Sequence, residues 1–280
     1  MDPHKKSETA SVIALTIAGF DPSGGAGVLA DAATFGSFGF SASAVITSIT
    51  FQNPGRCFGA VNQSAEEVRK QLMPLLEDFV FACAKTGMLP TREIVSEVAS
   101  WFRKRKLPGP VVDPVMVSSS GQRLMEDSAL ETLIHELLPL ARLVTPNIPE
   151  AEALTGISIT SEATMRQAAA RIRELGASAV LIKGGHLLEQ MADGNQKTTA
   201  SGVEGSESRS RNEAIDLLDN NGVITVFRAP RIAGKGIHGS GCILSAAIAA
   251  GLGKGHTIEE AVGAAKLFVA EAIRNAPKLR

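Results

Sequence analysis

The stretch GKGIHGSGCILSAAIAAGLG, residues 234–253, predicts a glycine-rich turn that runs directly into an apolar helix. Residues 243–252 are mostly Ala, Ile and Leu, so we expect this helix to be buried nearly all round. A helix N-terminus presents unpaired backbone N–H groups and a partial positive charge. Because Gly239, Ser240 and Gly241 leave that backbone uncovered, the turn could bind a phosphate or a developing oxyanion.

Cys242 falls on the first turn of the same helix, a position that commonly lowers the pKa of a thiol. We therefore expect a reactive thiol beside the proposed anion site. The alternative is a tight turn that only happens to contain glycines, followed by a cysteine that acts as a small buried hydrophobic residue. This stretch by itself favours neither interpretation.

The composition is that of an ordinary globular protein, with 44% hydrophobic and 20% charged residues in a chain of 280. A net charge of −1 disfavours a nucleic-acid partner. No apolar run approaches the roughly 18–20 residues that span a bilayer, and the polar start MDPHKKSETAS lacks the core of a signal peptide. Three widely spaced cysteines indicate neither a disulfide framework nor a zinc site, so we expect a cytoplasmic protein.

Short apolar strands alternate with helices, which predicts an α/β fold with a mostly parallel central sheet and helices on both faces. The first unit is a strand at residues 12–18, a glycine loop and a helix at 28–38, the usual ligand-binding junction of such sheets. Further strands are predicted at residues 44–50, 79–86, 110–113, 143–145 and 179–183. Further helices are predicted at residues 65–77, 91–104, 127–137, 149–154, 164–175 and 259–274.

We expect a single domain over residues 12–275, preceded by a disordered lead at residues 1–11. Residues 189–213 are rich in Gly, Ser and charged residues, so they predict a solvated insertion within a hairpin rather than a domain boundary. Antiparallel strands at residues 214–218 and 223–227 follow it.

Parallel strands joined by right-handed crossovers end at the same edge of a sheet. The loops expected to meet at this edge are residues 19–27, Gln52, Met88, residues 113–116, residues 147–150, residues 183–186 and residues 239–242. Their convergence predicts a ligand site, which no single loop would establish.

One motif favours a different class of protein. Gly25-x-Gly27-x-x-Ala30 matches the dinucleotide fingerprint. However, residues 45–52 contain no Asp or Glu where a ribose-binding acid is expected, so an NAD-dependent oxidoreductase is disfavoured. A Walker A sequence is absent as well.

Several polar residues on these loops each allow a functional and a structural interpretation. Asn147 and Glu150, one helical turn apart, could hold a hydrated Mg²⁺ beside phosphates or simply cap a helix. Asp31 could accept a hydrogen bond from a ligand or face solvent. Gln52 could pair with the edge of a heterocycle, and Lys183 could neutralise a phosphate or extend its amine to the surface.

Seven segments in order resemble the hydroxymethylpyrimidine and phosphomethylpyrimidine kinase family of thiamine biosynthesis, within the ribokinase-like superfamily. They are ALTIAGFDPSGGAG at 14–27, ITSITFQN at 46–53, KTGML at 85–89, VVDPVM at 111–116, TPNIPEAEAL at 145–154, IKGGH at 182–186 and HGSGC at 238–242. As an ordered set over residues 12–275 they are highly specific. The resemblance implies a ribokinase-like three-layer α/β/α fold.

The resemblance also implies ATP-dependent phosphorylation of 4-amino-5-hydroxymethyl-2-methylpyrimidine and then of its monophosphate. The residues implied for the pyrimidine are Gly19, Ala26, Asp31, Gln52, Met88 and Val115. Those implied for Mg²⁺, phosphate and catalysis are Asn147, Glu150, Lys183, Gly239, Ser240 and Gly241. Cys242 stands where most ribokinase-like enzymes carry an aspartate base, so it is the implied base here. A homodimer is implied as well.

Two alternatives stay open. Pyridoxal kinase shares the scaffold, and its ring also bears a hydroxymethyl group, although Met88 with Gln52 favours a pyrimidine. A non-catalytic pyrimidine-binding sensor is the other, but it would not need the HGSGC and Asn147-x-x-Glu150 elements. Phe20, where the family commonly has Ser or Thr, and the insertion at residues 189–213 depart from the family pattern.

Overall fold

The computed structural model describes residues 12–104, 107–185, 213–230 and 238–275. The strands in these ranges form one sheet and are β1 (Ile13–Phe20), β2 (Ser41–Asn53), β3 (Arg56–Asn62), β4 (Phe81–Thr86), β5 (Val111–Val112), β6 (Leu143–Val144), β7 (Ala179–Gly184), β8 (Glu213–Asn220) and β9 (Val223–Pro230). Their order is β3-β2-β1-β4-β5-β6-β7-β8-β9. Strands β2, β1, β4, β5, β6 and β7, which are neighbours in this order, are parallel. Strand β3 at one edge, and β8 and β9 at the other, pair antiparallel.

Helices cover both faces of the sheet, as the alternation of elements predicts. The α-helices are α1 (Gly27–Ser37), α2 (Ala65–Asp78), α3 (Arg92–Arg103), α4 (Asp127–Thr132), α5 (Ile148–Thr155), α6 (Glu162–Glu174), α7 (Ser240–Gly253) and α8 (Ile258–Asn275). One hydrophobic core lies under α2 to α6 and a second lies under α1, α7 and α8. The predicted three-layer architecture is therefore confirmed.

Strand β1 shows why the sequence folds this way. Leu15 and Ile17 are buried in the core under α2 to α6, while Ala14 is buried in the core on the opposite face. A strand with apolar side chains on both faces belongs in the middle of a covered parallel sheet. The strand accordingly pairs with β2 on one side and β4 on the other.

Helix α7 is the apolar helix that the opening stretch predicts. All residues from Leu244 to Leu252 are buried, because the helix packs between the sheet and helices α1 and α8. Gly251 permits the close approach of α8, since an added Cβ would lie 2.9 Å from the Cβ of Ala261. The helix begins at Ser240, three residues before the predicted start.

Some elements differ from the predictions. Strand β3 was not predicted. Its sequence lacks the alternation of apolar and polar residues that marks a half-buried strand, and in the structure both Phe58 and Val61 are exposed. The predicted helix over residues 127–137 is α4 followed by a π-helical turn, Leu133–Leu137. The lead at residues 1–11, His186 and the insertion up to residue 212 lie outside the described residues, and Glu213 already belongs to β8. The single-domain assignment stays a prediction.

None of the helices in the described ranges combines the length and the hydrophobicity needed to cross a bilayer.

The connection between β1 and α1, residues 21–26, is named here the glycine loop. It is held by close contacts between backbones. Gly27 has a φ of +61°, and an added Cβ would lie only 2.2 Å from the carbonyl oxygen of Gly19. Gly239 has a φ of +81°, and its Cβ would lie 1.9 Å from the carbonyl oxygen of Gly25. The start of α7 is therefore pressed against the glycine loop, an approach that only glycine permits.

Substituting Gly27 tests this constraint, with Gly24 as the matched control. Both have positive φ, but a Cβ on Gly24 would meet nothing within 4 Å. We expect Gly24→Ala to lower the free energy of unfolding by about 1 kcal/mol, the ordinary cost of a left-handed alanine. Gly27→Ala should cost about 3 kcal/mol or more, because it adds a backbone overlap. Urea denaturation measures both, and equal losses would contradict the close contact.

Candidate active site

A cavity of about 550 Å³ opens where the loops at the carboxyl ends of the parallel strands meet. The predicted site residues that line it are Gly19, Ala26, Gln52, Met88, Val115, Asn147, Glu150, Lys183, Gly239, Ser240, Gly241 and Cys242. Their convergence follows from the parallel topology, as expected. Phe20, the departure from the family pattern, also lines the cavity.

Asp31 is placed differently from the expectation. Its side chain is fully buried, so the interpretation that it faces solvent is wrong. Its carboxylate accepts hydrogen bonds from Lys85 Nζ at 2.8 and 3.0 Å and from the Thr16 hydroxyl at 2.6 Å. Lys85 lines the cavity and Asp31 does not, so this carboxylate lies behind the cavity wall.

Lys85 is a buried cation of the site that sequence reasoning did not single out. Burial alone would lower the pKa of Lys85, but the adjacent Asp31 carboxylate holds it above its usual value, so the ammonium stays charged. The available signal was a lysine directly after the apolar part of β4, inside the KTGML segment. A lysine that a sheet buries completely requires a counter-ion.

Lys183 forms a second ion pair, with a buried carboxylate. Its Nζ lies 3.0 Å from Asp113 Oδ1, and 17% of its side chain is exposed, so the interpretation that it extends to the surface is wrong. Burial would raise the pKa of Asp113, but Lys183 and Lys85 hold it below its usual value, so the group is a carboxylate. Asp113 also accepts a hydrogen bond from Ser245 on α7 at 3.3 Å.

The second ion pair borders residues 239–241, which are named here the anion loop. An added Cβ on Gly241 would lie 3.3 Å from Lys183 Nζ. The backbone at the start of α7 thus faces an ammonium group. A helix N-terminus and a lysine at one point provide two sources of positive potential for a phosphate.

Asn147 and Glu150 form the capping arrangement that the sequence allowed. Asn147 Oδ1 accepts the Glu150 N–H at 2.9 Å, and Glu150 Oε2 accepts the Asn147 N–H at 2.7 Å. Both residues also line the cavity. Burial raises the pKa of Glu150 to about 7, with Asp113 adding to this shift and Lys183 opposing it. The structural role is therefore observed, while the role toward Mg²⁺ stays a prediction.

Cys242 does not have the lowered pKa that its position on a helix N-terminus suggested. Burial raises the pKa of its thiol to about 11, although Lys85 and the Gly27 N–H favour the thiolate. The carboxylates of Asp113 and Asp31 shift it further upward. The expectation is wrong because the partly buried thiol is desolvated and lies near carboxylates as well as a cation.

Three further residues join the loops of the site. Asp21 Oδ2 lies 2.8 Å from His238 Nε2, and His238 Nδ1 lies 3.0 Å from Ser119 Oγ. All three line the cavity. Asp21 and His238 lie inside the quoted segments 14–27 and 238–242, but nothing in the sequence indicates that these distant segments are bonded.

Comparison with known proteins identifies the family. The family profile described as phosphomethylpyrimidine kinase matches residues 21–280. The chain belongs to this family. It is 39% identical over 268 residues to the hydroxymethylpyrimidine/phosphomethylpyrimidine kinase of Aquifex aeolicus strain VF5, with 96% of each chain covered. The resemblance carried by the seven segments is confirmed.

Experimental structures support the same fold. The phosphomethylpyrimidine kinase of Clostridium difficile 630 superposes with a TM-score of 0.76 at 37% identity, covering 94% of this chain and 100% of that one. The Staphylococcus aureus pyridoxal kinase in complex with AMP-PCP and pyridoxal gives a TM-score of 0.81 at 32% identity, covering 97% and 91%. The ribokinase-like fold is thus confirmed, and the related pyridoxal kinases share it.

Removing the Lys85 ammonium tests the buried ion pair. Lys85→Met leaves the Asp31 carboxylate buried without its counter-ion, so we expect a loss of about 3–5 kcal/mol in the free energy of unfolding. The double variant that carries Lys85→Met and Asp31→Asn should recover part of that loss, because it leaves no unpaired charge in the core. Urea denaturation measures the free energies.

The matched control is Lys70→Met, since Lys70 is exposed and lies 3.6 Å from Glu66 in a surface pair. It should leave the unfolding midpoint unchanged. Similar stabilities for the Lys85 and Lys70 variants would contradict the role given to the buried pair.

Proposed function

We propose that the cavity binds a hydroxymethylpyrimidine at its Gln52 and Met88 end and the terminal phosphate of ATP at the anion loop. As a member of its family, the chain phosphorylates 4-amino-5-hydroxymethyl-2-methylpyrimidine and then its monophosphate, with ATP as donor, in thiamine biosynthesis. The main support for two ends of one site is that the residues proposed to bind the ring and those proposed to bind the phosphate line the same cavity.

The ring end is formed by Gly19, Ala26, Gln52, Met88 and Val115. The Gln52 amide can both donate to a ring nitrogen and accept from an exocyclic amine, as an aminopyrimidine edge requires. Asp31 lies behind Lys85, so we propose that it acts on this end through the lysine rather than by direct contact.

The phosphate end combines the N–H groups of Gly239, Ser240 and Gly241 with the ammonium of Lys183. Phosphoryl transfer depends mainly on positioning and on charge stabilisation, which these groups supply. They would hold the transferred phosphoryl group as negative charge moves toward the leaving ADP.

Cys242 is the proposed base for the substrate hydroxyl. With a pKa of about 11 its thiol is protonated near neutral pH, so it must lose its proton before it can act. Lys85 and the Gly27 N–H are the groups that stabilise the thiolate. Because phosphoryl transfer passes through a loose transition state, the substrate hydroxyl needs little activation, and a weak base suffices.

Asn147 and Glu150 are the proposed residues for Mg²⁺. Among the described residues, no group of three His, Cys, Asp or Glu side chains could hold a metal ion alone. One carboxylate beside an amide oxygen fits Mg²⁺, which usually keeps several waters and binds substrate phosphates. When bound, the ion would neutralise phosphate charge, while Glu150 and Asn147 would hold its water shell.

Pyridoxal is the second candidate substrate, because pyridoxal kinases share this fold over nearly the whole chain. The proposed pairing of Gln52 with an amino-substituted ring favours the pyrimidine. We also propose, from the family resemblance and the sequence, that the protein is a cytoplasmic homodimer.

Variants of Cys242 test the assignment of the base. Cys242→Ala should lower kcat by about 100-fold, the usual contribution of general-base catalysis. Cys242→Asp should retain more activity than the alanine variant, because a carboxylate can accept the same proton. Steady-state kinetics with Mg-ATP and the hydroxymethylpyrimidine measure both.

Cys83→Ala is the matched control, since Cys83 is a buried cysteine outside the cavity lining. Its kcat should equal that of the wild type. Full turnover by Cys242→Ala would contradict the proposal.

A further inference from the structure

A hydrogen-bonded chain, Asp21–His238–Ser119, joins three segments around the cavity and has no part in the reaction described so far. The His238 ring accounts for both links, with Nε2 at 2.8 Å from Asp21 Oδ2 and Nδ1 at 3.0 Å from Ser119 Oγ. Its side chain is 14% exposed and that of Asp21 is 2% exposed. The chain therefore connects the glycine loop, the start of α7 and the loop after β5.

Asp21 is the centre of this connection. Its Oδ1 accepts the Ser23 N–H and hydroxyl, each at 2.8 Å, and its Oδ2 also accepts the Ala26 N–H at 2.9 Å. Burial alone would raise the pKa of Asp21, but hydrogen bonds from Ser23, His238 and Gln52 hold it below its usual value. One carboxylate thus fixes the shape of the glycine loop and anchors His238.

The bonding pattern specifies the proton on the ring. An ionised Asp21 can only accept, so His238 Nε2 carries a hydrogen and donates it. In the neutral ring Nδ1 then accepts the Ser119 hydroxyl hydrogen. In the protonated ring Nδ1 donates to Ser119 instead, so both links persist in either state.

The ring also fills the contact between the two glycine-rich segments. An added Cβ on Gly25 would lie 2.7 Å from His238 Cδ2, and one on Gly239 would lie 1.9 Å from the Gly25 carbonyl oxygen. The anion loop begins at the residue after His238. We therefore expect a shift of this ring to displace the backbone of the anion loop.

The third segment, residues 118–121, is named here the serine loop. Besides the link from Ser119 to His238, Ser120 Oγ accepts the Cys57 N–H of β3 at 2.9 Å. Ser118 and Ser119 both line the cavity. The serine loop is thus anchored at β3 on one side and at His238 on the other.

We propose that His238 is a positioning residue for phosphoryl transfer, which holds the anion loop against the glycine loop through Asp21. This inference rests on the proposed function, because it assigns the anion loop to the transferred phosphate. Alignment of the hydroxymethyl group with that phosphate would depend on His238, whereas binding of the ring would not. A displacement of about 1 Å can cost about 100-fold in rate.

Two amide variants separate the two links. A glutamine amide nitrogen can reach the position of Nε2, and an asparagine amide nitrogen that of Nδ1. We expect His238→Ala to lower kcat by about 30- to 100-fold while KM for the pyrimidine changes less than about threefold. His238→Gln, which retains a donor for Asp21, should recover about tenfold of that loss, and His238→Asn should not.

His256→Gln is the matched control, because His256 is exposed on the loop between α7 and α8 and lies outside the cavity lining. Its kcat should be unchanged. A thermal melt of each variant compares their folding, so that kcat is interpreted only for folded protein.

Several results would overturn the proposal. One is an unchanged kcat in His238→Ala, and another is a raised KM with normal kcat, which would assign the chain to substrate binding. Equal activities of the glutamine and asparagine variants would also contradict it. If the wild type phosphorylates pyridoxal and not the pyrimidine, the substrate assignment fails alone, and the same kcat pattern measured with pyridoxal decides the role of His238.

Discussion

The backbones of the glycine loop and the start of α7 pack so closely that a methyl group on Gly239 would overlap Gly25. A second contact of this kind, between Gly27 and Gly19, fixes the turn from β1 into α1. These contacts bring the glycine loop at the end of β1 directly against the backbone at the N-terminus of α7. Unpaired N–H groups of that helix can therefore face the cavity directly, which is the arrangement that a phosphate requires.

Several charged groups are buried or partly buried around this backbone frame. Lys85 with Asp31 and Lys183 with Asp113 are two ion pairs, and Glu150 lies beside the second. Burying such groups costs free energy that paired partners only partly offset, so their presence is better explained by chemistry than by stability. In the proposed mechanism Lys183 supplies positive charge for a phosphate and Lys85 stabilises the Cys242 thiolate, while Asp113 and Asp31 hold the two lysines in place.

The sequence predicted the order of strands and helices well, because runs such as residues 12–18 are apolar on both faces and end at glycines. It also predicted which loops meet, since parallel topology brings the ends of the strands to one edge. It could not predict that Asp31 is covered by Lys85 or that His238 reaches Asp21, because such pairs form only when distant segments fold together. The raised pKa of Cys242 was missed for the same reason: a helix N-terminus is visible in a sequence, but the proximity of Asp113 and Asp31 is not.

The most direct test of the account is an ADP-release assay with Mg-ATP that compares three acceptors: hydroxymethylpyrimidine, its monophosphate and pyridoxal. We expect turnover of both pyrimidines, each with a kcat/KM above that of pyridoxal, because Gln52 is expected to pair with the aminopyrimidine edge. A higher kcat/KM for pyridoxal would contradict the substrate assignment while leaving the fold and the phosphate end in place. Absence of turnover with all three, despite pyrimidine binding, would contradict the assignment of this cavity as a kinase active site.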